Sequence, residues 1–124
     1  MLQAQSSYMN SQIQTASPGE LTLILMNGCL RFIKYGISCI QKNDIQGKHT
    51  NFIKALNIVD ELQATLDMQY DLSQDLYKLY EFIQHKLSLA NINLDIKAAE
   101  ECISLVSDLR DTWADALKSL KVSS

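Results

Sequence analysis

The sequence predicts an all-α protein: an antiparallel up-down four-helix bundle with an N-terminal extension packing on or near it. Three observations predict this. One proline and four glycines in 124 residues leave few breaks in regular structure. Apolar residues recur at three- and four-residue spacing through four stretches, the pattern of amphipathic helices. A helix-start residue (Ser17, Asp44, Ser73, Asp95) opens each stretch, and the polar connections are short enough to join antiparallel neighbours. The bundle is expected over 17–120, between an extension at 1–16 and a frayed tail at 121–124.

Residues 1–16 are rich in glutamine and serine and carry no charged side chain. Their large apolar groups are Leu2, Tyr8, Met9 and Ile13. Two readings stand side by side: a frayed terminus, or a strap over the first helix anchored by Tyr8 and Ile13. The first helix is expected from Pro18 to Lys42. Ser17 can accept from the third backbone N–H, Pro18 is pre-set for the first helical φ, and Glu20 can reach back to the cap. Glu20, Asn27, Arg31, Lys34, Ser38 and Gln41 form one narrow polar row, leaving an apolar arc of roughly 240° where one core contact requires only ~100°. Such a helix must be covered on more than one side. Asn43 is a plausible left-handed stop.

Asp44 caps a second helix to about Leu66, with Ile45, Phe52, Ala55, Leu56, Val59, Leu62 and Leu66 as its stripe and Ile58 off it. Residues 67–72 break the period. Ser73 caps a third helix to about Ala90; Leu76, Leu79, Tyr80, Ile83 and Leu87 face in, while Tyr77 and Phe82 flank the polar row. After a turn at 91–94, Asp95 caps a fourth helix to about Leu120. Its inward residues are Ala99, Cys102, Ile103, Val106, Leu109, Trp113, Ala116, Leu117 and Leu120.

Several function classes drop out. With 11 basic and 14 acidic side chains and a net charge of −3, no surface is expected that would track phosphates, so nucleic acid is excluded as a partner. Cys29, Cys39 and Cys102 are odd in number, lack CxxC spacing and lie in apolar patterns, which reads as buried free thiols in a reducing compartment. The first residues lack a basic and then apolar leader, and no unbroken apolar run approaches ~20 residues; a cytoplasmic protein without membrane insertion is expected. A di-iron bundle needs Glu-x-x-His on two helices, and neither His49 nor His85 ends one. Without a nucleophile elbow or glycine-rich phosphate loop, the chain is expected to be no enzyme and to need no metal or cofactor.

What remains is surplus apolar surface. Leu23, Ile24, Ile58, Tyr77 and Phe82 border polar rows, and with the wide arc of the first helix they suggest grooves that hold a peptide. Periodicity alone therefore predicts a helical bundle that binds another protein, monomeric or weakly dimeric when free. The alternative is an interaction or dimerisation bundle with no such client.

A more specific expectation comes from Tyr8, Ile13, Thr15-Ala16-Ser17-Pro18 and Glu20-Leu21, continuing through Leu25, Gly28 and Leu30-Arg31-Phe32. Lys54-Ala55, Asn57-Ile58-Val59 and Glu61-Leu62 follow, then Leu79-Tyr80, Leu87, Ala90-Asn91-Ile92, Asp95, Leu109-Arg110-Asp111 and Trp113. In order and spacing these resemble the flagellin-specific export chaperones, the FliS family. Two positions depart from the family pattern: Met26-Asn27 stands where a Tyr-Asp pair is common, and Met68-Gln69-Tyr70-Asp71 has none of the usual glycines. The resemblance implies a chaperone that covers the disordered C-terminal segment of flagellin, blocks premature polymerisation and delivers the subunit to the flagellar type III export gate. It also offers docking at that gate as a role for Tyr8 and Ile13. Leu25, Met26, Ile53, Leu56, Asn57, Ile58, Tyr77, Tyr80 and Asn91 are the expected groove lining.

Overall fold

The structure is a computed structural model and describes residues 16–123. Within them lie four helices: α1 Pro18–Gln41, α2 Ile45–Ala64, α3 Asp71–Asn93 and α4 Ile96–Ser123. Each packs on its chain neighbours, and α4 closes the ring against α1. The diagonal pairs touch at most weakly, as in an up-down bundle.

The caps follow local chemistry. Ser17 accepts from Glu20 N–H at 3.2 Å, Asp44 from Gly47 N–H at 2.9 Å, and Asp95 from Ala98 N–H at 3.1 Å. Asn43 takes a left-handed φ of 59°, which ends α1 where expected. Helix α3 differs from expectation. It begins at Asp71 with Tyr70 as N-cap and no side-chain cap bond, so Ser73 is a buried helical residue rather than the cap. Leu72 continues the Leu76–Leu79 spacing one turn earlier, exposed at the start of the helix. The same helix runs on through the expected 91–94 turn to Asn93, with Leu94 left-handed at φ 55°.

The core holds Met26, Cys29, Leu30 and Ile33 from α1, Phe52, Ala55, Val59 and Leu62 from α2, Tyr80, Ile83, Leu87 and Ala90 from α3, and Ala98, Ala99, Cys102 and Val106 from α4. The α1–α2 seam is close because Gly36 presents bare backbone to the Phe52 ring; a Cβ there would lie 2.7 Å from Cε2 and Cζ. Three expected core positions lie outside: Ile45, Ala116 and Leu120. Ile45 is 54% exposed and Leu120 66% exposed, because each sits at a helix end. Ile45 opens α2, and Leu120 follows the point where Leu117 meets Gly19 at the start of α1, so little helix stands opposite. Conversely Ile58, expected beside the polar row, is half-buried against the core.

Helix α1 is 24 residues long with a window of mean hydropathy 1.4, so by length and composition it could cross a membrane. No unbroken apolar run showed this; the polar row is thin enough that the average is high. In the structure it is the central bundle helix, between α2 and α4.

Candidate functional site

The end of the bundle that gathers the start of α1, the end of α2, the start of α3 and the second half of α4 is open. A groove of about 1000 Å³ runs into it. Its floor is apolar: Leu21, Leu25 and Met26 from α1, Leu62 from the end of α2 and Leu66 just beyond it, Leu72, Leu76, Leu79 and Tyr80 from α3, Leu105, Leu109 and Trp113 from α4. The opening has a sequence cause. The connection at 65–70 carries only Leu66, Met68 and Tyr70 as large apolar groups, and the latter two are turned out to solvent. Nothing among the described residues therefore caps the upper ends of the four stripes. Exposed Leu72 (67%) and Tyr70 (65%) stand on the rim.

The mouth is held from α4. Trp113 Nε1–H donates to the Gly19 carbonyl at 2.8 Å, and Leu117 packs where Gly19 lacks a side chain. One helical turn further in, Arg110 donates from Nη1 to Asn27 Oδ1 at 2.9 Å and from Nε to Asp111 Oδ1 at 2.7 Å. Asn27, one of the two departures from the family pattern, thus links α1 to α4 without a charge of its own. Below the groove, burial pushes the Cys29 thiol up to about 12, with Cys102 adding to it; burial and the neighbouring Glu101 raise Cys102 to about 12 against an opposing pull from Lys86. Burial, then Cys29, raises the Tyr80 phenol. These thiols are held protonated and inert.

Of the expected lining, Leu25, Met26 and Tyr80 come together in the groove. Leu56 and Ile58 are half-buried against the core on α2, Ile53 is half-buried nearby in sequence, and Asn57 is exposed. Tyr77 is exposed on α3, its carbonyl accepting from Gln63. Asn91 sits at the opposite end: its carbonyl accepts from the buried Lys48 ammonium, its Nδ2 meets His49 Nδ1 at 3.1 Å, and its buried Oδ1 has no partner. Tyr8 and Ile13, and with them the strap, lie outside the described residues. The sequence reading missed Leu72 and Tyr70, assigned to a connection, and treated Leu105, Leu109 and Trp113 as core or passed over them. The 72–76–79 spacing was the available signal.

No three His, Cys, Asp or Glu side chains among the described residues stand together as a metal site would require. The described residues present an open apolar groove, the kind of surface on which an apolar segment of another chain can dock. The sequence profile of the family "Flagellar protein FliS" matches residues 1–120. The chain is 40% identical over 114 residues to the flagellar secretion chaperone FliS of Bacillus subtilis (strain 168), covering 92% of this chain and 86% of that one. It is 32% identical to its counterpart in Escherichia coli (strain K12), covering 90% and 84%. A solved structure described as a flagellar chaperone from bacteria superposes with a TM-score of 0.77 over 95% of this chain and 98% of its own, at 23% identity, which supports the fold. The chain belongs to the FliS family. That family is a class of flagellar secretion chaperones and not of enzymes, and membership implies a flagellar protein as client.

Proposed function

We propose that this protein acts in the cytoplasm as the export chaperone of flagellin, binding the C-terminal segment of the subunit in the groove at the open end of the bundle. The observation that carries the reading is the groove itself: about 1000 Å³ lined by leucines from all four helices, in a chain of the FliS family. A disordered segment must bury a large apolar area to offset the free energy of its ordering, and this groove offers that area. Covering the segment withholds it from polymerisation until the subunit reaches the export gate. In this reading a strap anchored by Tyr8 and Ile13, which lie outside the described residues, competes with the client for apolar surface and lowers its apparent affinity by the closed fraction.

Titration calorimetry with a flagellin C-terminal peptide tests this. Saturable heat at one-to-one stoichiometry is expected, weakened at least tenfold by Leu72→Asp, which places a charge on the rim without touching the buried core. Absence of heat at tens of micromolar protein contradicts the reading.

A further inference from the structure

The rim of the groove is charged in one sense. Among its lining residues are three carboxylates, Glu61 on α2, Asp67 in the α2–α3 connection and Asp108 on α4, and no lysine, arginine or histidine. All three are exposed. The ion pairs among the described residues are Lys86–Glu101 and Arg110–Asp111, so none of the three rim carboxylates has a cation. Arg110, two residues from Asp108, is held by Asp111 and Asn27 instead. Asp67 spends one oxygen on the Gln69 N–H. Because the carboxylates come from separate elements around one mouth, their fields add where a bound segment must pass, beside an apolar floor that screens poorly.

We propose that the groove selects an apolar segment flanked by lysine or arginine, the cations resting against Glu61 and Asp108 while the apolar side chains fill the floor. This deepens the reading above and rests on it. Charge at a rim acts mainly on encounter and selection.

The test compares two probes: the C-terminal peptide of the flagellin encoded with this protein, and the same peptide with every lysine and arginine replaced by glutamine. Both are titrated into the full chain and into Glu61→Gln/Asp108→Asn at low salt and at about 0.5 M sodium chloride. The expected result is a parent peptide bound about three- to five-fold more tightly than the glutamine peptide at low salt. That gap closes at high salt and in the double variant, where the glutamine peptide binds as before. Equal affinity of the two peptides for the wild-type protein overturns the selection by charge and leaves the groove reading standing. A gap that persists unchanged in the double variant also overturns it, because the cations then rest elsewhere. Failure of both peptides to bind removes the groove reading and this inference with it.

Discussion

Replacing Gly36 by alanine tests the packing that sets α1 against α2. The added Cβ would lie 2.7 Å from Phe52 Cε2 and Cζ and 3.0 Å from Cδ2. Ordinary carbon contacts begin near ~3.5 Å, so the ring or the helix must move by about 0.5–1 Å. Phe52 is fully buried and its ring is rigid, so the displacement passes into Val59, Ile33 and the rest of the core. Overpacking of this kind costs about 1–3 kcal/mol. Against it stands a helix-propensity gain of up to ~1 kcal/mol for alanine over glycine. The clash wins, and a net loss of about 1–2 kcal/mol is expected, a fall of roughly 3–8 °C in Tm for a domain of this size. Thermal and urea unfolding followed by far-ultraviolet circular dichroism measure it. Shortening the ring in Gly36→Ala/Phe52→Leu should recover part of the loss beyond additivity. A Gly36→Ala protein as stable as the wild type, or more so, refutes the close approach.

Three further outcomes follow from the geometry. Native Cys29 and Cys102 should resist a thiol reagent at pH 8 while half-buried Cys39 reacts, all three becoming titratable on unfolding. The same two thiols have folded-state values raised from 9.0 to about 12, so the folded state binds protons more tightly there. Stability is then full below pH 9 and falls as pH rises from about 9 towards 12, and Cys29→Ala/Cys102→Ala should flatten that fall in urea titrations at each pH. Asn27→Asp should turn the Arg110 hydrogen bond into an exposed ion pair, adding about 0.2–1 kcal/mol at low salt that vanishes at high salt.

Much of the fold is legible in the sequence because helix period and capping are local. Ser17, Asp44 and Asp95 cap as their types dictate, and Asn43 turns left-handed where the first polar row ends. The start of α3 was not legible from the cap rule: Ser73 is the better capping residue, but the helix begins two residues earlier with no side-chain cap bond. Burial of Lys48 was not legible either. Its partner is the carbonyl of Asn91 at the end of α3, 43 residues away, and only the folded ring brings them together. The groove is half legible. The excess apolar arc of α1 announces a surface to be covered, and Leu25, Met26 and Tyr80 are on it. Which end of the bundle is open depends on where four helices of unequal length stop relative to one another, and no periodicity encodes that.

Trp113, the single tryptophan, is half-buried on the groove wall and offers the most direct measurement of where the client sits. A flagellin C-terminal peptide that fills the groove should shift Trp113 emission to shorter wavelength, saturating at the same stoichiometry as the heat of binding, and Leu72→Asp should weaken both together. Heat of binding with no change in Trp113 emission and no effect of Leu72→Asp would place the client elsewhere on the bundle and contradict the account.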